Sequence, residues 1–105
     1  MTSTPAFDQA DVPLSERVLA CVEHIPEGKV LAYSDVAELV GSRAARNVGR
    51  IMATEGGAVP WHRVVRADGS FAPHIAEEQL TRLRSEGVPM RGRRVDMVRA
   101  RWDGR

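Results

Sequence analysis

Arg43, Arg46, Asn47 and Arg50 recur at i, i+3, i+4 and i+7, the spacing that gathers side chains on one face of a helix. Three arginines and an asparagine suit a DNA groove, because they offer phosphate contacts and base-edge donors. A solvated basic face beside a packed one is the plainer alternative. A second pair, His62 and Glu86, has the residue types of an acid–base couple working through water. The thiol of Cys21 is the only one in the chain, and it sits beside Val22 in an apolar stretch, the setting of a buried structural cysteine. One cysteine makes no internal disulfide and no CxxC pair. With His24, His62 and His74 scattered along the chain, neither a metal site nor a cofactor is expected.

The elements that must position these residues read as mainly helical. Ser15 is placed to cap a first helix running to about Ile25, with Val18, Leu19, Val22 and Ile25 on one side, stopped by Pro26 and Gly28. Residues 30–33 form a short extended link. Ser34 opens a second helix with Val36, Ala37, Leu39 and Val40 on its apolar side, and Gly41 ends it. Ser42 is then placed to cap a third helix at once, over residues 43–54. A short helix, a glycine turn and a new helix make a helix-turn-helix pattern. In the third helix Ala44, Ala45, Val48, Ile51 and Met52 oppose the arginine face. Gly49 costs about 1 kcal/mol relative to Ala there, so a close backbone approach to phosphate is expected in return. Residues 53–60, with Gly56-Gly57, read as a loop, and Asp68-Gly69 as a turn between Val64-Val65 and Phe71. Ile75, Gln79, Leu80 and Leu83 mark a fourth helix, ended by Gly87 and Pro89. The tail from Val95 to Trp102 is short, basic and partly apolar.

A chain of 105 residues makes one domain, and 43% apolar residues permit a modest core. Residues 1–13 read as a flexible polar arm and 14–105 as the folded domain. No stretch approaches the ~18 apolar residues of a membrane span, and Met1 to Ala10 lacks the pattern of a signal peptide, so a cytoplasmic location without membrane contact is expected. The net charge of +1 says little by itself. Its distribution says more: the first thirty residues carry five acids and two bases, whereas residues 82–105 carry eight arginines against three acids. Fourteen of the fifteen basic residues are arginine, the residue suited to bidentate phosphate contact, although a GC-rich genome explains that equally well.

The string Pro60-Trp61-His62-Arg63-Val64-Val65, together with Gly28-Lys29-Val30, Tyr33 and Ala44-Ala45-Arg46-Asn47-Val48-Gly49, resembles the O6-alkylguanine-DNA alkyltransferases. Their hallmark is Pro-Cys-His-Arg-Val, in which cysteine takes the alkyl group from guanine. Tryptophan at the cysteine position is the mark of the alkyltransferase-like proteins, which bind the lesion without removing it. The resemblance covers roughly residues 15–102. It implies the winged-helix-like DNA-binding fold with helix-turn-helix of the alkyltransferase C-terminal domain, and no enzymatic activity. It also implies roles. Tyr33, Ser34, Arg43, Ala45, Arg46, Asn47, Gly49 and Arg50 would meet DNA, with Arg46 entering the base stack as a finger and Tyr33 pressing on the adjacent phosphate. Tyr33, Pro60, Trp61, His62, Arg63, Val64, Val65 and His74 would form the lesion pocket. His62, Arg63 and Glu86 would persist as a structural hydrogen-bond network.

Two departures bear on this. Residues 53–59 are shorter than the matching alkyltransferase segment and lack its Asn-Pro turn, so a cap from Ser42 or Thr54 is expected to fix the geometry between helix and site. His74 stands near the place where some alkyltransferase-like proteins carry an arginine that touches the base. The implied partners are duplex DNA containing O6-alkylguanine and the proteins of nucleotide excision repair, met by a monomer bound at the nucleoid. Two other classes remain open: a helix-turn-helix transcription regulator, for which no dimerisation heptad or ligand domain is present, and a hydrolytic base-repair enzyme using His62 and Glu86.

Overall fold

A computed structural model describes residues 11–105; residues 1–10 of the expected arm, and with them the segment read for a signal peptide, lie outside the described residues. Helix α1 spans Leu14–His24 and buries Val18, Cys21 and Val22 along one stripe. Its N-cap is Pro13 rather than Ser15, which lies inside the first turn, and no side chain caps it. The extended Pro13 offers its carbonyl to the Arg17 N–H at 3.0 Å and so starts the helix earlier than a serine cap would. Arg17 then ties the helix down, its Nε donating to Val12 O at 2.8 Å and its guanidinium to Val40 O.

Helix α2 spans Tyr33–Leu39 and helix α3 spans Ala45–Glu55. The N-cap of α2 is Ala32, not Ser34, and Asp35 three residues on accepts the Ala32 N–H at 2.9 Å. Gly41 adopts φ +76°, and the Ser42 N–H reaches back to Ala37 O at 2.8 Å, closing α2 as the sequence leads one to expect. Ser42 does not cap α3. Its hydroxyl accepts the Ala44 N–H at 3.2 Å within the turn, and Ala44 stays extended, so α3 starts two residues later than expected and Arg43 precedes it. At the far end the helix consumes part of the expected loop, running to Glu55 before a 3-10 turn over Gly56–Ala58.

Residues 30–33, read only as a link, contain a strand. Strand β1 (Leu31–Ala32) pairs in parallel with β2 (Val64–Val65), Leu31 facing Val64 and Ala32 facing Val65. All four side chains are buried. Strand alternation sends Val64 into one apolar cluster, with α1, α2 and Val48 of α3, and Val65 into a second, with Leu83, Val88, Val95 and Ala100. The short pair is therefore the seam between two halves of the core.

Helix α4 spans Ala76–Ser85, entered through a 3-10 turn at Pro73–Ile75 and closed by Gly87 at φ +74°. The tail holds more structure than its composition suggests. Strands β3 (Met90–Arg91) and β4 (Arg94–Val95) form an antiparallel hairpin, and α5 covers Met97–Ala100. The chain then runs beside β1, with Val30 N–H on Ala100 O at 3.0 Å and Trp102 N–H on Val30 O at 2.9 Å. Among the described residues no helix is long and apolar enough to cross a membrane.

Candidate nucleic-acid interface and adjoining cleft

Two concavities flank α3. The first, about 420 Å³, is lined by Arg43, Ala44, Ala45, Arg46, Asn47 and Arg50. Although Arg43 lies in the turn before the helix, it joins the same surface as Arg46 and Arg50. The three arginine side chains are exposed, and among the described residues none meets a carboxylate. Ala44 and Ala45 leave the floor open. The face is thus an uncompensated cluster of planar donors, matched to phosphate and base edges.

The second concavity is a cleft of about 470 Å³ that also borders α3. Gly49, Met52 and Ala53 of α3 form one wall, with Gly56 and Gly57 of the turn that follows. Tyr33, Trp61, His74, Ile75 and Glu78 come from the remaining sides. Gly49 therefore does not border the arginine concavity; its missing side chain widens the cleft, where an added Cβ would meet nothing within 4 Å. Ser34 is exposed at the first turn of α2 and borders neither concavity.

Of the residues expected to form the pocket, the fold brings Tyr33, Trp61 and His74 to this cleft. Pro60, His62, Arg63, Val64 and Val65 do not line it. Pairing of β2 with β1 turns both valines into core, while His62 and Arg63 point to Glu86. Trp61 is half-buried in a 3-10 turn over Trp61–Arg63. Its ring stands edge-on to His62, centroids 6.1 Å apart, and the Arg82 guanidinium lies 5.5 Å from its centroid. Arg82 is held in turn by Glu78, one turn earlier on α4, at 2.9 Å. The apolar cleft walls and the Glu78–Arg82 pair were not singled out from the sequence. The local signals are Gly56-Gly57 for the wall, which reads as a loop until α3 is known to run into it, and the i,i+4 spacing of Glu78 and Arg82 for the pair.

Behind the cleft lies the network. Glu86 accepts from His62 Nε2 at 2.6 Å and from Arg63 Nε and an Arg63 terminal nitrogen at 3.0 and 2.9 Å. Arg63 also donates to Ile25 O at 2.8 Å, and the Gly28 N–H points at Glu86 from 3.4 Å. Burial by itself pushes the Glu86 carboxyl up, but the hydrogen bonds and charges of Arg63 and His62 outweigh it and hold the group at about 2. Glu86 is therefore ionised, His62 Nε2 carries the donated proton, and His62 Nδ1 is buried without a partner among the described residues. Gln79, 1% exposed, adds a backbone clamp, its amide donating to His62 O at 3.0 Å and Val64 O at 2.8 Å.

The expected caps do not connect helix and site. Thr54 bonds back to Arg50 O within α3, and Ser42 serves its own turn. The connection is made by backbone instead, with Val59 N–H on Gly56 O at 3.2 Å and Trp61 N–H on Val59 O at 2.7 Å. Burial pushes the Tyr33 phenol up, partly offset by the charge of Arg66, so the hydroxyl keeps its proton and can donate. Cys21 is fully buried and its thiol is pushed up to about 12, so it offers no thiolate. Among the described residues no three His, Cys, Asp or Glu side chains gather to hold a metal ion.

Residues 13–88 match the family described as 6-O-methylguanine DNA methyltransferase, DNA binding domain. The chain belongs to that family. It is 43% identical over 95 residues to an Escherichia coli protein named DNA base-flipping protein, covering 84% of this chain and 73% of that one. It is 37% identical over 79 residues to Alkyltransferase-like protein 1 of Schizosaccharomyces pombe, covering 69% and 73%. Its fold superimposes on S. pombe Atl1, solved in complex with damaged DNA containing O6-carboxymethylguanine, with a TM-score of 0.74, 30% identity and coverage of 85% of this chain and 94% of that one. The mainly helical fold with its helix-turn-helix is thus that of this family, as the sequence motifs imply.

Proposed function

We propose that this protein is a sensor of O6-alkylguanine that turns the damaged nucleotide out of the duplex and does no chemistry on it. The observation that carries the reading is that α3 lines both concavities, with unpaired arginines in one and with Gly49, Met52 and Ala53 beside the Trp61 and Tyr33 of the other. A duplex docked on the arginine face brings a base next to a cleft of a size that holds a small ligand. Arg46 fills the space left in the stack, and Tyr33 donates to the phosphate beside the extruded nucleotide. Extrusion costs a few kcal/mol, less for a weakened lesion pair, and that difference supplies part of the selectivity. The relatives named for base flipping and for likeness to alkyltransferases, and the one solved with damaged DNA, support this reading.

Trp61 occupies the position of the alkyl-accepting cysteine. Indole is no comparable nucleophile, and Cys21 is enclosed in the core, so the bound lesion stays intact. Residues 14–105 act as the DNA-binding unit, working as a cytoplasmic monomer that hands the marked site to nucleotide excision repair. One titration tests the core of this. The same duplex is offered with guanine and with radiolabelled O6-methylguanine, and label on the protein is then counted. Tighter binding of the modified duplex with no transferred label is expected. Equal affinity for the two duplexes would instead favour a plain helix-turn-helix regulator, and stoichiometric label would overturn the non-catalytic assignment.

A further inference from the structure

We propose that Arg66 is a further DNA-binding cation, reaching from the strand edge rather than from α3, and that it grips with Tyr33 the phosphodiester of the nucleotide turned into the cleft. This rests on the functional reading above. The parallel register pairs Ala32 with Val65, so the next residues, Tyr33 and Arg66, leave the two strands at the same end. Tyr33 lines the cleft, and the Arg66 guanidinium is near enough for its charge to act on the Tyr33 phenol.

Arg66 is exposed and, among the described residues, has no acidic partner. This contrasts with Arg63, Arg82, Arg93, Arg94 and Arg101, each of which is ion-paired. The nearest acid in sequence is Asp68, and it is already engaged. It accepts from Ser70 N–H at 3.0 Å and Ser70 Oγ at 2.6 Å and faces Arg94 at 3.7 Å. Arg66 thus shares the unpaired state of Arg43, Arg46 and Arg50. Among the described residues Arg84, Arg91, Arg99 and Arg105 are also without acidic partners, but they line neither concavity and do not continue β1 or β2.

The base of Arg66 is rigid. Its N–H donates to Ser70 O at 3.1 Å, and its carbonyl accepts the Gly69 N–H at 2.8 Å. Gly69, at φ +83°, is pressed on β4: a Cβ there would fall 2.3 Å from Val95 O, and Val95 N–H donates to Gly69 O at 3.0 Å. A cation on a fixed turn loses little backbone freedom when it takes a ligand. A guanidinium offers two parallel N–H groups to a phosphate, and the protonated Tyr33 hydroxyl offers a third donor. The phosphate next to Tyr33 belongs to the nucleotide whose base enters the cleft.

The test pairs protein variants with duplexes in which one phosphate beside O6-methylguanine is replaced by a neutral methylphosphonate. Arg66→Ala is expected to weaken binding about tenfold, the loss typical of one charge-assisted contact, and to lower the slope of log affinity against log salt by about one. Arg66→Lys restores the slope. On the duplex neutralised at the gripped phosphate, Arg66→Ala costs nothing further, whereas at other phosphates the two losses add. Thermal melting of the variants matches the parent, since the side chain bonds to nothing else in the protein. Unchanged affinity and slope in Arg66→Ala, or losses that add at every phosphate position, would overturn the proposal. A parent that binds duplex without preferring the lesion overturns the sensor reading instead, and the salt slope on unmodified duplex then still decides whether Arg66 meets phosphate.

Discussion

Replacing Glu86 by Gln removes the carboxylate on which His62, Arg63 and the Gly28 N–H converge. Glu86 is held at about 2 against an ordinary value of 4.5. At about 1.36 kcal/mol per pKa unit this amounts to about 3 kcal/mol of stability at neutral pH. The side chain is only 11% exposed, so solvent screening reduces that figure little. That is the lower end of the ~3–5 kcal/mol range for a broken buried pair, the loss of the counter-charge of Arg63, itself 16% exposed, being part of the same interaction. For a domain of this size each kcal/mol moves the melting temperature by roughly 4–8 °C, so a drop of about 12 °C or more is expected. The assay is urea unfolding followed by circular dichroism from pH 7 downward. Because the folded-state carboxyl is depressed, its contribution is complete above the unfolded value near 4.5 and is lost as pH falls through 2. The gap between parent and variant is therefore full at pH 7, narrows below about 4.5 and vanishes near 2. A variant within about 0.5 kcal/mol of the parent at pH 7, the range of an ordinary surface change, or a gap constant down to pH 3, would refute the reasoning.

Arg43→Ala and Arg50→Ala should each weaken modified and unmodified duplex alike and lower the salt slope by about one, as read by anisotropy titration, because these contacts go to phosphate; a flat salt dependence in the parent would exclude groove docking by α3. Arg46→Ala and Tyr33→Ala should lower the signal of a fluorescent base analogue placed at the lesion, and variants that unstack the base as well as the parent does would remove both residues from the extrusion step. In a Trp102→Phe background the fluorescence of Trp61 should change when O6-methylguanine DNA binds. Trp61→Ala should reduce the preference for the lesion while costing less than the ~3–5 kcal/mol of a core tryptophan, since the ring is half-buried in the cleft wall; full lesion preference in that variant would contradict the cleft assignment.

Four of the helices and the family are legible in local sequence. Helical spacing, glycine at Gly41 and Gly87, and the Pro60-Trp61-His62-Arg63 string act over a few residues, so they are legible without the fold. Helix starts were less legible. Ser15, Ser34 and Ser42 each have the right type for an N-cap, but Pro13, Ala32 and Ala44 hold the position because the approach of the preceding chain, not side-chain type alone, sets where helical dihedrals begin. The two-residue strands are too short to show a period of two, and Leu31-Ala32 and Val64-Val65 are buried on both faces, which removes alternation altogether. Which residues share the cleft and which arginines stay unpaired depend on the packed fold. Fourteen arginines look alike in sequence. Folding pairs Arg63 with Glu86 across 23 residues and Arg101 with Asp35 across 66, and leaves Arg43, Arg46, Arg50 and Arg66 beside the two concavities, exposed and, like Arg84, Arg91, Arg99 and Arg105, without acidic partners among the described residues. A charge can be neutralised only by a partner that packing brings within reach, and that packing is a property of the whole core rather than of any segment.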